Sequence, residues 1–300
     1  MFRRPSMISV IVSTYNMPLW LEKTLMGYCQ QDFQNFEIIV ADDGSTDETA
    51  AVVQHFRKRM KQPIQHVWHP DDGFQKCKIL NQAILAARGD YLLFSDGDCI
   101  PRSDFVATHF RQAAPGRFLS GGYYKLPMSI SERIGEQEIN TGQAFSLPWL
   151  WQHGLSKTPR NLRLQARGVV AGVCNRMTTT RPTWNGHNAS GWTDDIHFVN
   201  GFDERMRYGG EDRELGERLE NLGIRGKQIR YQAICVHLDH SRGYVSDEDW
   251  QRNEAIRKAT REQKRTFTAH GIRQGQAVDQ DGFQQDALQQ GHRVVPPTAA

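Results

Sequence analysis

Short apolar, β-branched runs alternate with amphipathic stretches from the N-terminal region to Asp98. Residues 7–13 (Met-Ile-Ser-Val-Ile-Val-Ser) are such a run, ended by Thr14-Tyr15-Asn16 and Pro18, and predict a buried strand feeding a loop. Leu19, Leu21, Leu25 and Tyr28 follow at roughly helical spacing. Residues 36–41 predict a second strand, stopped by Asp42-Asp43-Gly44-Ser45. Thr46-Asp47-Glu48-Thr49 then opens a helix whose first-turn acids suit the helix dipole. Residues 64–68 predict a third strand, and 75–87 a helix closed by Gly89 as its C-terminal cap. Residues 91–94 predict a fourth strand that runs straight into Ser95-Asp96-Gly97-Asp98.

This alternation predicts an α/β fold: a mostly parallel, doubly wound central sheet with helices on both faces. Ligands of such sheets bind beyond the carboxyl ends of the strands. The clusters Thr14-Tyr15-Asn16, Asp42-Asp43 and Asp96-Gly97-Asp98 all fall at such ends, so the topology gathers them along one edge. Residues 120–185 are less regular and hold Trp149 and Trp151, with Trp184 beside them; loops and short helices able to act as a lid over the pocket are expected there. Leu215, Leu219 and Leu222 share one face of a helix from about residue 211, ended by Gly223. Residues 228–237 predict a late strand and 247–270 a polar helix. From Gly271 on the composition predicts a disordered tail. The expected organisation is one domain over 1–245, with halves at about 7–120 and 121–245, then a helical extension over 246–270 and a tail over 271–300.

Composition narrows the class. The chain has 300 residues, enough for a sizeable core, and a net charge of +3, too mild for a dedicated nucleic-acid binder, so no nucleic-acid partner is expected. Its 5 cysteines are scattered without a C-x-x-C pair, which predicts free thiols in a reducing compartment. No stretch reaches the roughly 18 apolar residues of a membrane span, and the N-terminal residues do not form a signal peptide. A cytoplasmic protein is expected. Basic residues in 252–265 are a candidate for peripheral contact with the inner face of the membrane, against the plainer reading of a solvated helix face.

The chemistry lies in a few clusters. Asp96-Gly97-Asp98 sets two carboxylates on a turn at a strand end, suited to a divalent cation and through it a diphosphate; alone, such a pattern is more often a solvated acidic turn. Asp42-Asp43-Gly44-Ser45 is either turn and capping chemistry or a carboxylate pair for a nucleobase or ribose. Gly209-Gly210-Glu211-Asp212 opens a helix, and its acids either serve the dipole or offer a general base to a sugar hydroxyl. His237, with His240 three residues on, is either structural or a nitrogen ligand beside the carboxylates.

Together, Val10-Ile-Val-Ser-Thr-Tyr-Asn16, Ile39-Val-Ala-Asp-Asp-Gly-Ser-Thr-Asp47, Asn81-Gln-Ala-Ile84, Ala87-Arg-Gly-Asp-Tyr91 and Asp96-Gly-Asp98 resemble the GT-A family 2 glycosyltransferases. Gly186-His-Asn-Ala-Ser190, Val199-Asn-Gly-Phe-Asp203 and Gly209-Gly-Glu-Asp212 are similar to the acceptor-side segment of β-1,4-galactosyltransferases and of bacterial chondroitin and hyaluronan polymerase domains. The resemblance spans about residues 7–240. It implies the GT-A, Rossmann-like fold and an inverting, Mn²⁺- or Mg²⁺-dependent transfer of a hexosyl or N-acetylhexosaminyl group. The donor would be a UDP-sugar and the acceptor a glycan or glycolipid of cell-surface polysaccharide or lipopolysaccharide synthesis. It implies roles as well. Thr14 and Asp42 or Asp43 would hold the nucleoside, with Lys76 or, by preference, Lys78. Asp96 and Gly97 would face ribose and donor sugar, and Asn188 would line the sugar pocket. Asp98 and His237 would ligate the metal with Asp96 beside them. Tyr208, Gly210 and Glu211 would meet the acceptor, and Asp212 would be the base. Many relatives carry Trp where this chain has Tyr208. Two rivals are weaker: a nucleotidyltransferase, which needs a Gly-rich basic loop absent from Ser13–Pro18, and a non-catalytic binder, which would be expected to have lost one of these residues.

Overall fold

The computed structural model describes residues 3–241 and 246–274. The described residues form ten strands: β1 Ile8–Thr14, β2 Phe36–Asp42, β3 Ile64–Trp68, β4 Tyr91–Asp96, β5 Cys99–Pro101, β6 Arg117–Ser120, β7 Gly122–Lys125, β8 Ala189–Trp192, β9 Arg225–Gln228 and β10 Ile234–His237. The main sheet has the order β3-β2-β1-β4-β8-β6-β9, and β8 alone runs against its neighbours. A small second sheet has the order β5-β10-β7. The expected mostly parallel α/β sheet is therefore present.

Alternation along the central strands divides the core between the two faces of the sheet. Val10, Val12, Ile38, Val40 and Leu93 join the cluster beneath the helices Pro18–Cys29 and Asp47–Arg59. Ile11, Ile39, Leu92 and Phe94 point the other way, onto the helices Lys76–Ala86 and Glu211–Asn221. Every residue of β1 and β2 is buried, which is why those runs read as continuously apolar rather than alternating.

Register sets the site. Thr14 lies opposite Asp42, and Ser13 opposite Asp96. The polar clusters at the strand ends are thus level along one edge. Asp98 lies just beyond, where the chain turns into β5, and β5 pairs Cys99 with His237.

Several expectations are corrected. Gly89 is not the cap of the helix before it, which ends at Ala86 with Ala87 at the C-cap. Its small size serves close packing instead: a Cβ there would lie 2.7 Å from the Ser9 nitrogen. The single late strand over 228–237 is two strands in different sheets, because the chain turns at Ile229–Ala233 between β9 and β10. The polar helix stops at Glu262, short of residue 270, and Lys264 adopts φ 52° just beyond it. The expected disordered tail does not begin at Gly271: the Ile272 and Arg273 amides donate to the Asn200 backbone and side-chain oxygens at 3.1 and 2.8 Å. The remainder of that tail, from 275, lies outside the described residues. Gly223 does end its helix, at φ 92°. Trp184 is core rather than lid: it is buried between Phe94 and Phe118, while Trp149 and Trp151 pack on the other core face. The cysteines are all free.

Candidate active site

The Asp96-Gly97-Asp98 turn is rigidly held. The Gly97 amide donates to the Ser13 carbonyl at 2.7 Å, and the Gly97 carbonyl accepts from the Thr24 hydroxyl at 3.0 Å. A Cβ at this position would meet the Ser13 oxygen at 3.0 Å, so glycine lets the turn lie against β1. Both polar groups of the Gly97 backbone are thereby engaged in the turn. Asp96 Oδ1 accepts from Ser13 Oγ at 2.7 Å and from Lys76 Nζ at 2.9 Å. Burial alone would raise the Asp96 carboxyl, but the Lys76 ammonium, His187 and these hydrogen bonds outweigh it and hold it well below the usual range.

Asp98 faces a different set. Its Oδ2 lies 2.9 Å from His240 Nε2 and 3.6 Å from His237 Nε2, and its Oδ1 lies 3.4 Å from Cys99 Sγ. Each histidine turns Nδ1 to a backbone carbonyl at 2.8 Å, Leu238 for His237 and Ser241 for His240. Those bonds select the tautomer with the proton on Nδ1. Both Nε2 lone pairs then face a carboxylate oxygen, an arrangement that repels itself unless a proton or a cation lies between. Atoms of Asp98, Cys99 and His237 lie close enough to hold one metal ion together. Burial and the neighbouring Cys235 push the Cys99 thiol well up, so it is the poorest donor of the three. With the thiol set aside, one carboxylate and one imidazole remain as donors able to hold a divalent cation. Asp96 stands outside this group and is bound to Lys76 instead.

On the β2 side, both aspartates already have partners. Asp42 accepts from the Ser45 amide at 2.9 Å and pairs with His66 Nε2 at 2.8 Å. Asp43 pairs with His69 Nε2 at 2.7 Å and accepts from the Gln75 amide at 3.0 Å, and burial raises its carboxyl. Thr14 Oγ1 is buried without a hydrogen-bond partner, directly beside Gly97. An orphaned hydroxyl at a strand end is poised for a ligand.

Lys76, rather than Lys78, reaches this cluster. Lys78 lies roughly 200° further around the same helix and is exposed. Lys76 sits in the field of Asp96, Asp212 and Glu211, which together raise its ammonium well above the usual range despite burial. It joins the two acidic motifs that lie far apart in the sequence.

The helix Glu211–Asn221 brings the second acidic motif in. Gly209 and Gly210 precede it at φ 114° and 89°, left-handed values that only glycine adopts readily. Glu211 Oε2 accepts from the Gly209 amide at 2.9 Å, stiffening the loop. The Gly186 backbone donates to the Asp212 carboxyl, but Asp212 Oδ1 is buried with no hydrogen-bond partner among the described residues. Burial, and then the Glu211 charge, push the Asp212 carboxyl up to about 7. Gly186 lies against it: a Cβ there would approach both Asp212 oxygens to 2.9 Å. Tyr208 stands edge-on between Phe74 and Trp250, at 5.9 and 6.4 Å, so Trp250 adds large aromatic surface beside it.

Asn188 does not line a pocket. It is fully buried, its amide nitrogen donates to the Gly122 and Ala233 carbonyls at 2.7 and 3.1 Å, and its oxygen accepts from His109 Nε2 at 2.9 Å. The residue before it, His187, is the one in the site. Its ring packs against Tyr123 at 4.5 Å, and burial lowers it to about 4 although Asp96 opposes this. Sequence reasoning missed His66, His69, His187 and Trp250. The first two had a visible signal, a His-x-x-His run at the end of a predicted strand; Trp250 had none.

The chain is 35% identical over 280 residues to the uncharacterized glycosyltransferase YfnE of Bacillus subtilis, spanning 82% of this chain and 68% of that protein. It is 29% identical to validoxylamine A glucosyltransferase of Streptomyces hygroscopicus subsp. jinggangensis over 73% of this chain and 52% of the relative. It is 27% identical to Escherichia coli chondroitin synthase over 77% of this chain and 34% of the relative, so it spans about half or less of those two proteins. Among solved structures, the Pyrobaculum calidifontis mannosyltransferase PcManGT with GDP-Man and Mn²⁺ superposes with TM-score 0.55 at 21% identity, covering 92% of this chain and 66% of that one. TarS 1-349 of S. aureus with UDP-GlcNAc gives 0.56 at 18% identity over 86% and 69%, a likeness of fold. The glycosyl transferase family 2 model matches residues 9–174, from β1 through the Asp96-Gly97-Asp98 turn, and the chain belongs to that family.

Proposed function

We propose that this chain is a metal-dependent, inverting glycosyltransferase that moves a hexosyl or N-acetylhexosaminyl group from a UDP-sugar to a hydroxyl of a glycan or glycolipid, in cell-surface polysaccharide or lipopolysaccharide synthesis. The observation that carries the reading is Asp212: a buried carboxylate with an unpartnered oxygen, raised to about 7, at a helix start beside the Lys76–Asp96 pair. A base of that pKa is matched to taking a proton near neutral pH.

Thr14, Asp42 and Asp43, at the strand ends, would hold the nucleoside, and Lys76, Asp96 and Gly97 its ribose and diphosphate. Asp98 and His237 would hold Mn²⁺ or Mg²⁺. Such an ion, when bound, supplies charge neutralisation to the diphosphate. Tyr208, Gly210 and Glu211 would form the acceptor wall. Asp212 removes the proton from the acceptor hydroxyl as its oxygen bonds to the anomeric carbon. The bond from that carbon to the diphosphate oxygen breaks on the opposite face, and configuration inverts. The UDP assignment draws on TarS, solved with UDP-GlcNAc, and the glycan acceptor on the chondroitin synthase relative.

Replacing Asp212 by Asn tests this. Transfer should fall by about 10²–10⁴-fold while UDP-sugar and Mn²⁺ still bind in calorimetry. A product of retained configuration by NMR, full turnover in EDTA, or loss of donor binding in that variant would each overturn the reading.

A further inference from the structure

Helices on a protein surface normally turn polar residues to water. The helix Gly168–Met177 does the opposite. Its inward face carries Ala171 and Asn175; Ala171 is buried, and Asn175 accepts from the Tyr231 amide and donates to Gln232. Its outward arc carries Val169 (84% exposed), Val170, Val173 and Met177 (76% exposed). An exposed apolar stripe of this kind marks an interaction surface.

The charge around it identifies the partner. Between Glu138 and Asp194 the chain has no acidic residue, yet it carries Lys157, Arg160, Arg163, Arg167, Arg176 and Arg181. Arg176 lies on the exposed arc itself, and Arg160 is exposed just before the helix; neither has a carboxylate within ion-pair distance among the described residues. Of the proposed surface's cations Arg167 is paired, with Asp104, whereas in 252–265, the sequence's first candidate for a lipid surface, Arg252, Arg257, Lys258 and Arg261 are paired with Asp249, Glu217, Glu262 and Glu254 and, among the described residues, only Lys264 and Arg265 are not. The cationic, apolar surface also adjoins the active site. Asn175 of the helix bonds Tyr231 and Gln232, the preceding residue Arg230 abuts Gly122, and the next residue of β7, Tyr123, packs against His187 and His237.

We propose that the Gly168–Met177 helix docks this protein onto an anionic lipid bilayer, with Val169, Val170, Val173 and Met177 entering the headgroup–acyl boundary and the flanking arginines meeting lipid phosphates. Docking there sets the active site beside the membrane surface.

Co-sedimentation of the full chain with vesicles tests this. Binding is expected to vesicles of phosphatidylcholine with about 30% phosphatidylglycerol and not to phosphatidylcholine alone. It should weaken at least about tenfold in Val169→Glu/Val173→Glu and in Arg160→Glu/Arg176→Glu, each with a wild-type thermal melt and unchanged UDP release in solution. Raising salt to about 0.5 M should weaken the wild type in the same direction. Equal binding to neutral vesicles, no binding to either, or unchanged binding by both variants overturns the proposal. So does a soluble dimer, seen by sedimentation velocity, that Val169→Glu/Val173→Glu dissolves, since the helix would then cover a second copy. UDP release is assayed without lipid, so failure of docking is distinguishable from failure of the catalytic reading on which the placement of the active site rests.

Discussion

Asp212 owes its raised carboxyl first to burial and next to the Glu211 charge, with Lys76 pulling the other way. The sign of the pH dependence follows. A base must be deprotonated to act, so kcat/KM should rise with pH through about 7 and flatten above it. Glu211→Gln removes the second of the raising causes and should move that rising limb to lower pH, whatever it does to the plateau. A limb that stays in place in Glu211→Gln, or persists in the residual activity of Asp212→Asn, assigns it to another group. The same shift affects stability. A carboxyl with a folded value near 7 and an ordinary value of 3.8 binds its proton more tightly in the fold. Its contribution therefore favours the folded state at low pH and is lost as pH rises towards 7. The site acids were legible as residues, since each motif declared its own carboxylates. Their partners were not, because Lys76 meets Asp96 across 20 positions and His69 meets Asp43 across 26, and no local pattern encodes such a pairing.

The loop that aims Asp212 is held by another element, the helix Asp247–Glu262. Asn253, fully buried on that helix, donates to the Arg207, Tyr208 and Gly209 carbonyls at 2.8, 3.2 and 3.0 Å. Thr260 on the same helix donates to Glu214 at 2.8 Å, so the clamp grips both the loop and the helix that follows it. Asn253→Ala strands three carbonyls without their donor and should cost about 1–3 kcal/mol of stability. Because the loop carries Gly209 and Gly210 at left-handed φ, its geometry should relax, and kcat/KM should fall about tenfold or more. Thermal melts and kinetics on one preparation check both effects. A lowered melting temperature with wild-type kcat/KM would reduce the helix to a stabiliser. The expected start of this helix at residue 247 agrees with the structure, where Ser246 caps it by accepting from the Asp249 amide. Its end was not, since 263–270 lacks a strong breaker and the chain instead turns at Lys264.

The two sheets share one buried hydrogen-bond hub, and the active site rests on it. His109, on the helix Phe105–Gln112, bonds Ser190 Oγ at 2.7 Å and the Asn188 oxygen at 2.9 Å. Asn188 continues to the carbonyls of Gly122 in β7 and of Ala233 just before β10, while Ser190 reaches Tyr91 of β4 at 3.1 Å. The hub therefore joins the main sheet to the small one and fixes Gly186 and His187, the segment facing Asp212 and Asp96. Asn188 accepts through its oxygen, so His109 must carry its proton on Nε2 and stay neutral, and burial lowers its pKa from 6.5 to about 3. A pKa depressed in the fold means the unfolded chain binds more protons between those values. The stability this contributes is present above about 6.5 and drains away as pH falls towards 3. His109→Gln keeps an amide donor for Asn188 but has no group that titrates in that window. Its urea midpoint should lie below wild type at pH 7, and the gap should narrow on acidification to pH 5, provided both remain two-state. A gap that stays constant between the two pH values would place the acid sensitivity of the fold elsewhere. A collapse of His109→Gln that also abolishes UDP release at pH 7 would show instead that the junction of the sheets, and not the proton, is what His109 supplies.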